Sequence, residues 1–199
     1  MKKFWLLFLL ASVLTAFTSC SKDDDDATEN KVGKYSKTEY YEITKWLDKP
    51  YDEVKASGIS KTILWESQAG NLEFLIYIDN KPFGVDFEFP FEYSSAVTLT
   101  PYYKDGNIEP DDAEKFAMLK EYADEAFKKF GEPEKVVYEG NWIKSTYENF
   151  WDNIFPSPAT SLPTGAAFRF FDGKCRYYYY VDRTKPNGKY FFQIRITSF

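Results

Sequence analysis

Arginine and tyrosine side chains are concentrated near the end of the chain, and both residue types are well suited to binding a ligand. The sequence contains four arginines, all in the last 34 residues: Arg169, Arg176, Arg183 and Arg195. Residues 166–199 carry seven basic and two acidic side chains, although the whole chain has a net charge of −6. Arginine offers planar bidentate donors, and tyrosine offers a flat aromatic face with a polar hydroxyl. This region is therefore the leading candidate for a ligand site.

The same region has the hydrophobic alternation and the turn residues of a three-stranded antiparallel meander. The pattern predicts strands over 166–171, 174–181 and 189–198. Asp172-Gly173 and Asn187-Gly188 are the dipeptides typical of tight hairpin turns.

Pairing within this meander predicts that arginines from three strands lie side by side. A two-residue turn at Asp172-Gly173 would place Arg169 opposite Arg176. Pairing of Tyr178 with Gln193 would place Arg176 opposite Arg195, and like charges directly opposite one another require anions nearby. The candidate ligand-binding residues on this face are Arg169, Arg176, Tyr178, Tyr180, Phe191, Gln193 and Arg195.

Two interpretations of this arginine-bearing face follow from the sequence. The anions can be carboxylates of the chain itself, in a packed network of ion pairs. Alternatively, the face is open to solvent and binds a ligand with hydroxyl or acid groups, such as a glycan. The assignment of faces depends on strand register, because a slip of one residue exchanges the two faces of a strand.

Enzymatic chemistry has little support in the sequence. The chain contains no histidine, which removes Ser-His and Cys-His catalysis and histidine-ligated zinc. The remaining option is a pair of carboxylates, Asp86 and Glu88, with Glu73 on a neighbouring strand, which could cleave a glycosidic bond if burial raised one pKa. The simpler interpretation is the polar face of a half-buried strand.

Neither a cofactor nor nucleic acid is an expected partner. The segment from Asp105 to Asp111 superficially resembles a calcium loop, but Pro110 and Phe116 stand where the turn glycine and the bidentate glutamate belong. The sequence therefore predicts no metal and no cofactor. Nucleic-acid binding requires a basic excess, and this chain is acidic.

The N-terminus has the parts of a secretory signal. Lys2 and Lys3 precede an apolar stretch that is too short to span a membrane as a helix. Phe17-Thr18-Ser19-Cys20 resembles a bacterial lipobox, which implies removal of residues 1–19 and lipidation of Cys20. A cysteine that carries more than one acyl chain is a stable membrane anchor.

An acidic run follows the predicted lipid cysteine. Residues Ser21, Lys22, Asp23, Asp24, Asp25 and Asp26 resemble the export tag of Bacteroidetes-type surface lipoproteins. This resemblance implies an outer-membrane protein that is lipid-anchored in the outer leaflet and faces the extracellular side. Acidic runs are otherwise solvated linkers, and residues 20–30 are expected to form a tether. With Cys20 lipidated, Cys175 has no disulfide partner and should be a buried small hydrophobe.

The remaining sequence, 31–199, predicts a single α+β domain. A capping-box motif at Ser36 and Glu39 begins a helix to about residue 47, and shorter or longer helices follow at 52–56, 112–130 and 146–155. Strand patterns precede and follow the helix at 112–130, including 62–67, 72–79, 84–89, 92–103 and 134–138.

These elements predict an antiparallel sheet with helices packed on one face. The possible halves, 31–105 and 106–199, each read as two helices and about four strands. This layout resembles the tandem half-domains of beta-lactamase inhibitor protein, which implies a protein-binding inhibitor or an envelope-assembly factor as one function. The leading expectation is a non-enzymatic accessory module that captures a glycan or protein at the cell surface, and a glycoside hydrolase is the third.

Overall fold

The computed structural model describes residues 32–66, 70–103, 109–155, 162–183 and 188–199. The predicted signal, the lipid cysteine Cys20 and the acidic tag at residues 21–26 lie outside the described residues. Residues Gly33–Phe199 form one compact unit.

Ten strands in the described residues form one continuous sheet. They are β1 (Lys34–Tyr35), β2 (Ile63–Glu66), β3 (Asn71–Ile78), β4 (Lys81–Glu88), β5 (Ala96–Pro101), β6 (Lys135–Tyr138), β7 (Asn141–Ile143), β8 (Gly165–Phe171), β9 (Cys175–Arg183) and β10 (Tyr190–Ser198). Their order across the sheet is β1-β3-β4-β5-β10-β9-β8-β6-β7, and β2 also pairs with β3. All pairs are antiparallel except β1 with β3, which is parallel.

The helical elements occur in two groups. A 3-10 helix (Tyr40–Trp46) and α1 (Tyr51–Lys55) lie between β1 and β2 in the first half. The second half begins with α2 (Asp112–Phe130), and α3 (Tyr147–Asn149) continues into a π-helical turn (Phe150–Ile154). The helix predicted after Ser36 is therefore a 3-10 helix.

Local sequence signals determine where helix α2 begins and where it ends. The Asp111 carboxylate accepts the backbone N–H of Glu114, and the Glu114 side chain accepts the N–H of Asp111, which completes a capping box. Gly131 follows the last turn with a φ of 78°, a backbone conformation that favours glycine. The predicted bounds of 112–130 are confirmed.

Helices and the sheet meet across a core that is rich in aromatic rings. Tyr122 of α2 packs against Phe83 and Phe192, with ring centroids 5.7 and 5.6 Å apart. The 3-10 helix places the Tyr40 hydroxyl 2.7 Å from the Tyr179 hydroxyl. These strand residues all belong to the inner face of the sheet, so the α+β class with helices on one face is confirmed.

The two chain halves occupy adjacent parts of the sheet and join where β5 pairs with β10. The register there places Ile194 opposite Leu99 and Ile196 opposite Val97, and all four side chains are buried. The first half supplies β1 to β5 and the second half supplies β6 to β10. The continuous core therefore crosses the boundary between the halves.

Two strands were not expected from the sequence, β1 and β7. Strand β7 forms because Glu139 and Gly140 make a two-residue turn with φ values of 50° and 78°. Positive φ at both central residues is the geometry of a type I′ hairpin turn, whose twist matches the flanking strands. This hairpin adds Trp142 to the edge of the sheet.

Candidate functional site

The outer face of the sheet is the face opposite the helices, and it carries the arginine and tyrosine side chains. Strand residues alternate between faces, so the core residues Tyr177 and Tyr179 of β9 leave Tyr178 and Tyr180 on the outer face. The sequence assigned these side chains to the correct face.

The predicted register of the meander is wrong by two residues at both turns. Tyr178, not Arg176, lies opposite Arg169, and Arg195, not Gln193, lies opposite Tyr178. A shift of two residues keeps every side chain on its face, because the side-chain period of a strand is two. The row of three adjacent arginines is therefore replaced by an Arg169–Tyr178–Arg195 row.

Local hydrogen bonds explain the longer turn between β8 and β9. The Asp172 carboxylate accepts the backbone N–H groups of Lys174, at 2.8 Å, and of Cys175, at 2.7 Å. The same carboxylate accepts the Tyr177 hydroxyl at 2.6 Å. These bonds extend the connection so that Phe171 pairs with Arg176. The resulting alternation also avoids placing guanidinium groups directly opposite each other.

A trough of about 500 Å³ lies on the outer face over β6, β8 and β9. One cross-strand row defines its shape, since Trp142 lies opposite Val137, Val137 opposite Ala167, and Ala167 opposite Tyr180. Two aromatic side chains thus stand at the ends of a row whose middle residues are small and aliphatic. With strands about 4.8 Å apart, three strand spacings separate the backbones of these walls by roughly 14 Å.

The remaining lining residues give the trough a floor and a polar rim. The lining residues are Val137, Gly140, Trp142, Gly165, Ala166, Ala167, Tyr178, Tyr180, Val181, Asp182, Arg195 and Thr197. A Cβ atom at Gly165 would lie 2.9 Å from the Val181 carbonyl oxygen and 3.2 Å from Asp182 Oδ1. The close approach of the β9 backbone at this point therefore requires glycine in the floor.

Trp142 is the most exposed wall of the trough, with 58 % of its surface accessible. Its indole also lines a second hollow, together with Pro133, Glu134, Lys135 and other residues of the sheet edge. Lys135 Nζ lies 4.2 Å from the centroid of the indole ring, and Lys135 lines this second hollow but not the trough. The indole therefore borders both hollows, and Lys135 contacts its ring from the second hollow.

Three of the seven candidate residues line the trough: Tyr178, Tyr180 and Arg195. Gln193 and Phe191 support Tyr180, because Gln193 accepts its hydroxyl and the Phe191 ring packs edge-on against it at 5.9 Å. The Gln193 amide in turn donates to Thr100 Oγ1 at 3.0 Å. This chain of contacts fixes the orientation of one aromatic wall.

The two other candidate arginines have different positions. Arg169 does not line the trough, but its guanidinium lies beside two side chains that do, 5.7 Å from the Trp142 ring and 5.8 Å from the Tyr178 ring. Arg176 is at the other end of β9, with its guanidinium 4.3 Å from the ring of Phe199. The structure therefore brings Arg169 to the trough and leaves Arg176 outside it.

Carboxylates of the chain itself pair with these arginines. Arg195 donates to both carboxylate oxygens of Glu88 on β4, at 2.7 Å for the Nη2–Oε2 contact. Arg169 Nε lies 3.0 Å from Glu134 Oε2, and Arg176 Nε lies 3.8 Å from the same atom. The outer face is thus uncovered by the helices, and its arginines pair with carboxylates of the chain itself, as the first interpretation predicted. Ligand binding by this face stays a prediction.

The carboxylate pair considered for hydrolysis lies beside the trough, not in it. Asp86 is directly opposite Glu73 on β3, and burial together with the charges of Glu73 and Glu88 raises the pKa of Asp86 to about 6. Asn71 Nδ2 donates weakly to Asp86 at 3.4 Å. Neither Asp86 nor Glu88 lines the trough, and Glu88 is engaged by Arg195.

Cys175 is buried, as predicted, and forms no disulfide within the described part of the chain. Burial and the nearby Asp172 raise the pKa of its thiol, so it stays protonated at neutral pH. Across the described ranges, no cluster of three or more Cys, Asp and Glu side chains is arranged to hold a metal ion. The helices in those same ranges include none that is long and apolar enough to cross a membrane.

The chain was compared with protein-family models, with characterised proteins and with solved structures. None of the three comparisons finds a match. The function must therefore be inferred from the geometry of the site.

Sequence reasoning missed four residues that shape the trough: Trp142, Gly165, Ala167 and Asp182. The Glu139-Gly140 turn followed by Asn141 was the signal that could have found Trp142, because it closes a short hairpin after the predicted strand at 134–138. The alternation of β8 could have placed Ala167 on the face of Arg169. Gly165 and Asp182 depend on the pairing of β8 with β9, which only the structure supplies.

Proposed function

We propose that this protein binds a glycan in the trough on the outer face, as a non-enzymatic module at the bacterial cell surface. The observation that carries the proposal is the row Trp142–Val137–Ala167–Tyr180, in which two aromatic walls enclose a small apolar floor. Sugar rings have apolar faces and polar edges. Aromatic walls with hydrogen-bonding groups at the rim complement both.

The aromatic walls are held in place before any ligand binds. Lys135 lies against one face of the Trp142 indole, and Gln193 and Phe191 fix the Tyr180 side chain. Rigid aromatic anchors lose little conformational entropy on binding, so this support favours affinity. The uncovered outer face gives an extended ligand access from the solvent.

A binding role is favoured over catalysis by the chemistry available at the trough. The chain contains no histidine, and the Cys175 thiol is buried on the inner side of β9. Asp182 and Arg195 are the two charged residues that line the trough, and a single carboxylate cannot supply the acid and the base of a glycosidase.

Attachment of this module to the outer membrane is part of the proposal and rests on the sequence. The lipobox-like Phe17-Thr18-Ser19-Cys20 and the acidic residues that follow it would anchor the protein and direct it outward. Cys20→Ala should release the protein from the membrane fraction. Replacement of Asp23, Asp24, Asp25 and Asp26 by Ala should leave it membrane-bound but protected from added protease.

The test of binding is a glycan array probed with the folded domain, followed by calorimetry on each hit. Trp142→Ala and Tyr180→Ala should each weaken binding at least about tenfold, which corresponds to about 1.4 kcal/mol. Arg176→Ala is the matched control, because this arginine lies on the same strand but outside the trough. If Trp142→Ala and Tyr180→Ala bound the glycan as tightly as Arg176→Ala, the trough would not be the binding site.

A further inference from the structure

We infer that the glycan bound in the trough is electrically neutral, without uronate, sialate or sulfate groups. This inference rests on the proposed function and specifies the ligand class of the same site. It follows from how the charges in and around the trough are paired. Arginine-rich surfaces ordinarily indicate anionic ligands, and the structure argues against that interpretation here.

The arginine that lines the trough already has a full carboxylate partner. Arg195 and Glu88 form a bidentate pair, in which two guanidinium N–H groups meet two carboxylate oxygens. Burial of this pair is partial, with 37 % and 32 % of the two side chains exposed. The pair of parallel N–H groups that would bind the carboxylate of an anionic sugar is therefore already bound to Glu88. An acidic ligand would therefore have to displace Glu88.

The other cations near the trough are also balanced. Arg169 lies against Glu134 and is only 17 % exposed, and Lys135 is engaged with the Trp142 ring. Of the residues that line the trough, only Arg195 and Asp182 are charged, and their charges are opposite. Beside the trough, Glu134 pairs with Arg169 and also lies 3.8 Å from Arg176, and Glu88 pairs with Arg195. The lining itself therefore carries no net positive charge that would attract an anion.

Asp182 makes the trough unfavourable for anions. Asp182 and Arg195 line the two ends of the trough. Arg195 pairs with Tyr178, and Asp182 is four residues further along β9, which at about 3.3 Å per residue is a separation of roughly 13 Å. One carboxylate oxygen of Asp182, Oδ1, accepts the backbone N–H of Arg183 at 2.7 Å. An anionic sugar at this end would meet like charge.

Neutral hydroxyl groups suit the polar groups that the rim offers. A carboxylate such as Asp182 accepts hydrogen bonds from sugar hydroxyls, and the Tyr178 hydroxyl, which has no hydrogen bond within the described part of the chain, can donate or accept. The Arg195 guanidinium has further N–H groups beyond those bound to Glu88. These groups supply the mixed donors and acceptors that hydroxyl-rich ligands require.

The experiment compares neutral and acidic oligosaccharides of equal length at constant ionic strength. The probes are cello-, xylo- and malto-oligosaccharides on one side and oligogalacturonates on the other, titrated into the wild-type domain by calorimetry. We expect at least one neutral series to bind, and oligogalacturonates to bind at least about tenfold more weakly. Trp142→Ala should abolish the neutral binding.

Charge variants test the cause of this selectivity. Glu88→Gln frees the Arg195 fork, and Asp182→Asn removes the carboxylate at the far end. Each should raise the affinity for oligogalacturonates about tenfold relative to the affinity for neutral oligosaccharides, the size of one charge-assisted hydrogen bond. Glu88 does not line the trough, so Glu88→Gln should leave neutral binding nearly unchanged. Glu92→Gln, an exposed position four residues beyond Glu88, is the control.

The outcomes separate this inference from the proposed function. Tighter binding of oligogalacturonates than of neutral oligosaccharides by the wild type, lost in Trp142→Ala, would overturn the neutral-ligand inference and leave the trough as a glycan site. Binding of neither class, in this assay and on the array, would overturn both. If Trp142→Ala bound neutral oligosaccharides as tightly as the wild type, the binding site would lie outside the trough. That result would also overturn both the proposed function and the neutral-ligand inference.

Discussion

Replacing Asp86 by Asn should stabilise the protein at neutral and alkaline pH. Asp86 is half-buried on the outer face, directly opposite Glu73, and its buried Oδ1 atom has no hydrogen-bond partner among the described residues. Burial and two neighbouring carboxylates raise its pKa from 3.8 to about 6. The folded state therefore binds this proton more tightly than the unfolded state, and stability is lost as the pH rises through about 6.

The size of the effect follows from the pKa difference. A shift from 3.8 to about 6 corresponds to an upper limit of about 3 kcal/mol at 1.36 kcal/mol per unit. Since the side chain is only partly buried, solvent screening reduces this figure to roughly 1 kcal/mol. For a domain of this size, about 1 kcal/mol changes the melting temperature by roughly 3 °C.

Thermal and urea unfolding at pH 8 and at pH 4 would measure the difference between Asp86→Asn and the wild type. We expect Asp86→Asn to be more stable at pH 8 and its advantage to shrink at pH 4, where the wild-type carboxyl is protonated in the fold. Asp152→Asn, at an exposed carboxylate, is the control and should show neither effect. A destabilised Asp86→Asn at pH 8, or an advantage equal at both pH values, would refute the reasoning.

Two further substitutions test the packing of the site and of the fold. Gly165→Ala should destabilise the protein by roughly 1–3 kcal/mol and weaken glycan binding, because its methyl group would meet the Val181 carbonyl oxygen, and urea unfolding with calorimetry would show both. Full stability in this variant would contradict the close approach of β8 and β9. Asp111→Ala should cost about 1 kcal/mol by removing the capping box of α2, without changing ligand affinity, and an unchanged urea midpoint would contradict the role of this cap.

Local signals account for the parts of the fold that the sequence predicted. The bounds of α2 follow from Asp111 and Gly131, which lie next to the helix and act through neighbouring backbone groups. The faces of β9 and β10 follow from the alternation of side chains along a strand. A register error of two residues leaves each side chain on its predicted face. Both features depend on residues that are close in the chain.

The features that the sequence did not predict depend on strand pairings that hydrophobic alternation does not specify. The register between β8 and β9 is set by the Asp172 side chain, which accepts two backbone N–H groups and the Tyr177 hydroxyl. Strand β1 pairs with β3, some 43 residues away at Lys34 and Tyr77. Strand β7 has only three residues, too few to show alternation, so the Glu139-Gly140 turn was its one local signal.

The candidate site was predicted in part for the same reasons. Tyr178, Tyr180 and Arg195 share a face because of alternation, and the structure brings them to one trough. Arg176 shares that face but lies too far along β9 to line the trough. Trp142 was missed because its strand was missed, although it is the wall on which the proposed function depends most.

The central claim is that the trough beside Trp142 binds glycans, and one comparison of two tryptophan variants tests it most directly. Trp65 on β2 is 52 % exposed, close to the 58 % of Trp142, and pairs with Glu73 at the opposite side of the sheet. Calorimetry with a neutral oligosaccharide that binds the wild type should show at least about tenfold weaker binding by Trp142→Ala and unchanged binding by Trp65→Ala. Wild-type affinity in Trp142→Ala, or an equal loss in both variants, would contradict the account.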